Sequence, residues 1–228
     1  QMKFTPAAQA DLKQQFLRRR PQRVYRAVVH GHLRSPREVS EALSLEELRF
    51  IPSQIPPHRQ TPGARPEQRL EMLAAALADA PENVMIDRRE LDRPGPSYMV
   101  DTLASLRQEF PDTPLVLVLG LDAFLGLDRW HRWPTLFEFA HIAVMQRPGF
   151  SPMLTEPLAA AVAPRRVTEV QALRLAPAGR VHFLDVTQLE ISASQIRDLI
   201  RLGRNPKYLI PEAVAALIQD LGLYRSRD

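Results

Sequence analysis

Ser192, Ser194 and Arg197 in the stretch EISASQIRDLI, 190–200, have the types and spacing of an anion clamp. Either serine can cap a following helix, whose first amides and positive dipole end then favour an anion. Arg197 lies three residues after Ser194, one turn along, and can add a bidentate grip on the same group. The alternative is a plain serine cap beside a solvent-facing arginine.

Four further stretches hold groups that could do chemistry. In IPSQIPPHRQTP, 51–62, prolines stiffen a loop that ends in His58 and Arg59, both donors to an anion; a rigid surface loop with a solvated basic pair is the competing view. In GLDAFLGLDRWHRW, 120–133, Asp122 stands where a carboxylate can accept bonds from ribose hydroxyls. Trp130 there offers a stacking face for an aromatic ring, whereas Trp133, followed by Pro134, reads as core. In RPGPSYMVDTL, 93–103, Ser97 reads as a helix cap, and Tyr98 faces either core or pocket. In VVHGHL, 28–33, His30 and His32 flank Gly31, and residues two apart on a strand share a face. The chain has no cysteine to complete a thiolate zinc site, and no carboxylate is close by in sequence. Histidine donors to phosphate are therefore favoured over a metal clip, and no protein metal site is expected.

These groups need a frame. Apolar content is 45% and charged content 25% over 228 residues, the balance of a globular chain able to bury a large core. With no cysteine, disulfides, iron–sulfur clusters and cysteine nucleophiles are excluded, which suits a reducing cytoplasm. The longest strongly apolar run, Leu115 to Gly120, is far too short to span a membrane, and the first residues lack a signal-peptide core. Formal net charge is only +4; the arginines at 18–20, 23 and 26 read as a solvated helix end rather than a nucleic-acid surface.

Helices are expected at 5–18, from Pro36 to about Leu43, at 66–79, 97–110, 193–202 and 211–220. Short apolar runs at 48–52, 84–87, 115–120, 141–148 and 181–186 read as strands. Strands alternating with helices predict an α/β fold: a Rossmann-like, doubly wound parallel sheet with helices on both faces and a C-terminal helical segment. The whole of 1–228 is expected to form a single domain, with 1–21 as an N-terminal helical extension and 190–228 as the C-terminal helical part. In such sheets ligands sit beyond the carboxyl ends of the strands, where the histidines, serines, arginines and aspartate above recur. The pattern points to an anionic, phosphorylated ligand.

Together the stretches GHL (31–33), FIPSQIPPHR (50–59), PSYMVDTL (96–103), LGLDAFLGLDRWHRW (119–133), QRPGF (146–150), ISASQIR (191–197) and YLIPEAVAALIQDLGLYR (208–225) resemble the bacterial nicotinate-nucleotide adenylyltransferases of the nucleotidyltransferase α/β-phosphodiesterase superfamily. The resemblance runs from about residue 28 to the C-terminus and is weak over 151–180. It implies transfer of AMP from ATP to nicotinate mononucleotide, forming deamido-NAD and pyrophosphate in NAD biosynthesis. It implies that Gly31, His32, Ser192, Ser194 and Arg197 bind ATP, with His32 and Arg197 catalytic. It assigns His58, Arg59, Tyr98, Asp122 and Trp130 to nicotinate mononucleotide, and Mg²⁺ is expected to arrive on ATP rather than in a protein cage. A cytoplasmic enzyme with no nucleic-acid or membrane partner follows, its oligomeric state left open.

The chain departs from the family's glycine-rich GGTFDPVHxGH loop: counting back from Gly31-His32 without a gap puts Gln22-Arg23-Val24-Tyr25 where Gly-Gly-Thr-Phe is usual and Val29 at the first histidine; alternatively several residues are deleted between Tyr25 and Val28, and neither alignment restores the loop. Glycines let backbone amides approach phosphates closely, so their absence predicts weaker ATP binding or a rebuilt loop. A catalytically impaired pyridine-nucleotide-binding protein on the same fold is the alternative this departure admits. Met99 also stands where the family usually has threonine, and Ser194 keeps the hydroxyl of a usual threonine.

Overall fold

The computed structural model describes residues 26–30, 36–56, 63–147, 149, 153–186 and 192–225. The expected helix at 5–18 lies outside them. In chain order the elements are β1 Arg26–His30, α1 Pro36–Ala42, β2 Glu47–Phe50, α2 Pro66–Ala76, β3 Val84–Ile86, α3 Met99–Glu109, β4 Leu115–Gly120, α4 Leu121–Leu125, α5 Leu136–Phe139, β5 His141–Gln146, α6 Glu156–Val162, β6 Arg166–Val167, β7 Val181–Asp185, α7 Ala193–Arg201 and α8 Glu212–Asp220.

The strands form one sheet in the order β3-β2-β1-β4-β5-β7-β6, and every neighbouring pair is parallel. The expected parallel α/β architecture is thus observed. β4 explains why LVLVLG is apolar throughout. Alternate side chains point to opposite faces, and both faces are covered. Leu115, Leu117 and Leu119 enter one cluster with Val100, Leu103 and Leu106 of α3 and Ile142 and Val144 of β5. Val116 and Val118 enter the other with Val39, Leu43, Leu48 and Phe50. A third, smaller cluster joins Val214 and Ile218 of α8 to Ala64, Met72 and Ala75, so the C-terminal helical part packs on α2.

Several boundaries differ from expectation. β2 ends at Phe50 because Pro52 has no N–H for a ladder. α3 starts at Met99, with Tyr98 rather than Ser97 at its N-cap and no side-chain cap bond. Ser97 is buried, and its hydroxyl accepts from the backbone N–H of Gln54 instead. The short helices over 121–139 and 156–162 and the two-residue strand β6 carry too few residues for periodicity to reveal them.

At the amino edge of the sheet, His141 is fully buried. The Arg180 N–H donates to its Nδ1 at 2.9 Å, and its Nε2 lies 2.8 Å from the Ala176 carbonyl, which fixes the neutral Nε2–H tautomer. Burial, with Arg107 and Arg180 nearby, pushes its pKa down to about 4. The unfolded chain therefore takes the proton first. The contribution of His141 is fully present above about pH 6.5 and falls as pH drops towards 4, by up to about 3 kcal/mol. The urea midpoint of the wild type is expected to fall more steeply between those pH values than that of His141→Asn; equal slopes would refute this account.

Candidate active site at the carboxyl edge of the sheet

The sheet reverses its winding between β1 and β4: the chain steps outwards from β1 through β2 to β3, then returns to the other side of β1. Open α/β sheets bind ligands in the crevice beyond the strand ends at such a reversal. The ends are level here, since His30 pairs with Leu119 and Gly120 with Met145. β4 turns into α4 at Gly120 with no intervening loop, and no described atom lies within 4 Å of where a Cβ on Gly120 would stand. Asp122, in the first turn of α4, is exposed beside that crevice.

After α4 a short turn carries Trp130, half-buried against the main apolar cluster. Trp133 packs there too, edge-on to Phe137 at 6.2 Å between centroids, in keeping with its reading as core. Arg132 between them holds a left-handed backbone, φ 51°, which tightens the turn. His131, exposed, stacks on the half-buried Tyr98 ring at 4.4 Å. Tyr98 thus faces both the core and this rim. Met99 is buried in the main cluster, where its apolar side chain is at home.

The segment leading to Tyr98 is tied down by charge. Asp87, just past β3, accepts from Arg49 at 2.9 Å and from Arg89 Nε at 2.8 Å, and both arginines also reach Glu109 of α3. Burial would raise the Asp87 pKa, but the bonds from Arg89 and Arg49 hold it below the usual carboxylate range. Glu90 is buried, its carboxylate accepting from the Thr102 hydroxyl, and burial pushes its pKa up. Thr102 lies in the quoted PSYMVDTL stretch, but nothing in the sequence pairs it with Glu90.

Ser192 caps α7: its hydroxyl accepts from the Gln195 N–H at 3.1 Å, and the Gln195 side chain accepts from the Ser192 N–H at 2.6 Å. This reciprocal box fixes the helix start and leaves the Ala193 and Ser194 amides without a hydrogen-bond partner among the described residues. The Ser194 hydroxyl accepts from Arg197 at 3.0 Å. Two amides, a hydroxyl and a guanidinium therefore gather at one helix end, a donor set for phosphate oxygens. Gly31, His32, His58 and Arg59 lie outside the described residues, as do Gln22 to Tyr25. β1, which ends at His30, lies at the reversal itself. Among the described residues no group of three or more His, Asp or Glu could hold a metal ion, and no helix is long and apolar enough to cross a membrane.

The cytidylyltransferase-like family matches residues 27–199, which places the chain in that class of parallel α/β proteins. The chain is 53% identical over 197 residues to the "Probable nicotinate-nucleotide adenylyltransferase" of Methylococcus capsulatus, covering 86% of this chain and 94% of the relative. It is 51% identical over 195 residues to the relative of the same name in Halorhodospira halophila, covering 86% and 89%. The chain belongs to the nicotinate-nucleotide adenylyltransferase family. Its fold is shared with a solved Plasmodium falciparum nicotinic acid mononucleotide adenylyltransferase complexed with NaAD, at a TM-score of 0.60 and 12% identity over 88% of this chain and 97% of that one.

Proposed function

We infer that the protein transfers AMP from ATP to nicotinate mononucleotide, giving deamido-NAD and pyrophosphate. The observation that carries this reading is the 53% identity over 197 residues to a relative named for that activity. Two features support it: the donors gathered at the start of α7, and the Asp122 and Trp130 side chains on the segment that follows β4.

In this reading a phosphate oxygen of the mononucleotide attacks the α-phosphorus of ATP in line. The bond to the bridging oxygen of the β-phosphate breaks, and pyrophosphate leaves. No protein nucleophile is needed; the protein positions both substrates and stabilises developing charge. Ser194, Arg197 and the first α7 amides hold the triphosphate, and Ser192 contributes by holding the helix start. His32, beside Gly31, donates to the α-phosphoryl group. Asp122 anchors the ribose region of the mononucleotide, Trp130 stacks on its pyridine ring, Tyr98 lines that end, and His58 and Arg59 face its phosphate. The donors on the triphosphate side are hydroxyl, amide and guanidinium groups, suited to phosphate oxygens rather than to a metal. Mg²⁺ thus enters with ATP and neutralises its phosphate charge. The cytoplasm, where ATP is at hand, is the compartment this reading assigns.

Purified protein is expected to release pyrophosphate from ATP only when nicotinate mononucleotide and Mg²⁺ are both present. Release at background level with all three present, alongside measurable binding of the mononucleotide, would replace this reading with that of a non-catalytic pyridine-nucleotide-binding protein.

A further inference from the structure

We propose that Gln54 is a positioning residue for the mononucleotide side of the site. The proposal rests on the adenylyltransferase reading for its substrate, and on the following geometry for the residue itself.

Residues 51–56 leave β2 at the carboxyl edge and lead into 57–62, which carry His58 and Arg59. Such a loop has no ladder to hold it, and Pro52 and Pro56 contribute no N–H. Gln54 supplies the missing anchorage. Its backbone N–H donates to the Ser97 hydroxyl at 2.8 Å, and its carbonyl accepts from Arg69 of α2 at 2.9 Å. The next residue joins in, since the Ser97 N–H donates to the Ile55 carbonyl at 3.0 Å. With its side-chain amide turned so that the nitrogen faces acceptors, Gln54 donates into the carbonyls of Arg93 (2.7 Å), Leu91 (2.8 Å) and Glu90 (3.2 Å). A single residue therefore fastens three segments: the turn at 90–93, the strand-like approach to Tyr98, and α2.

The consequence is geometric. The loop at 51–56 is bonded directly to the residue preceding Tyr98, so Gln54 holds the start of that segment in place beneath the rim formed by Tyr98 and His131. The chemistry of the side chain matters as well as its size. A neutral amide donates to a cluster of carbonyls; a carboxylate there would face three oxygens of like partial charge, and leucine would leave them without a donor. Gln54 belongs to none of the three apolar clusters, so replacing it opens no core cavity. The loss should thus fall on substrate placement rather than on folding.

The test uses full-length Gln54→Leu and Gln54→Glu against wild type, with steady-state kinetics for each substrate and thermal melting. KM for nicotinate mononucleotide is expected to rise about tenfold or more in both variants, with KM for ATP within about twofold, because misplacement affects one substrate's contacts only. Unchanged KM values, or equal rises for both substrates, would overturn the proposal. If the wild type itself releases no pyrophosphate, the functional reading fails separately. Hydrogen exchange at the Ser97 amide then decides about Gln54. Protection lost by about tenfold or more in Gln54→Leu supports the clasp, and unchanged protection overturns it.

Discussion

Arg197→Ala is expected to lower turnover by about 100-fold or more while leaving the fold intact. The reason lies in what surrounds the guanidinium. It is half-buried in the first turns of α7, one of its nitrogens donates to the Ser194 hydroxyl, and no carboxylate among the described residues pairs with it. The adjacent Asp198 is taken by Arg201 at 2.7 Å. A cation near a helix N-terminus, beside two amides with no partner among the described residues, suits an anion; if, as proposed, that anion gains charge during the reaction, removing the cation is felt most in the transition state. The helix itself is held by the Ser192–Gln195 box, which the substitution leaves alone. Steady-state pyrophosphate release checks the claim, with thermal melting as the control. A variant retaining wild-type turnover would show that Arg197 is only a surface residue. Arg197→Lys should recover part of the loss, since a point charge remains but the planar fork does not.

The second large effect is the reverse: stability lost with activity kept. Arg107→Leu is expected to destabilise the protein by about 3 kcal/mol, lowering the melting temperature by roughly 6–12 °C for a chain of this size. Arg107 reaches from α3 to the amino edge of the sheet. Its guanidinium donates to the carbonyls of Phe139, Phe110, Pro111, Thr113 and Pro177 at 2.6–3.2 Å. These carbonyls belong to the loops that enter β4 and β5 and to the segment before β7, and none of those loops has a ladder of its own. One side chain thus stands in for backbone pairing at three places. Burial lowers the Arg107 pKa, but its partners remain bonded to the charged form throughout the working pH range. Because this edge is opposite the strand ends where the site is proposed, turnover well below the melting transition should match wild type. Urea unfolding measures the loss; a change below about 0.5 kcal/mol would mean that water replaces the guanidinium at little cost.

The two substitutions separate what local sequence can and cannot convey. The ISASQIR stretch announces its own chemistry, because cap, box and guanidinium lie within six positions and α-helical geometry alone brings them together. The β4 run likewise announces burial on both faces, since the pleat sends alternate side chains to opposite sides. Ser97 shows the opposite case. A serine two residues before a helix reads as a cap, yet a partner from another loop claimed its hydroxyl. The spacing of Tyr98 fits either core or pocket, and its ring lies against both the main apolar cluster and the exposed His131.

Sequence alone was sufficient for the parallel α/β class, the major elements, the family resemblance and the serine cap at the α7 start. Each of those depends on residues within a few positions of one another or on their order along the chain. Only the tertiary structure decided that Gln54 fastens three segments, that Arg107 serves five carbonyls, that Glu90 is buried beneath Thr102, and that His141 is kept neutral between Arg180 and Ala176. The physical reason is common to all four: a polar side chain takes its role from whichever unsatisfied backbone or charged group the packed core brings beside it, and in each case the farthest such partner lies 12 to 70 residues away along the chain.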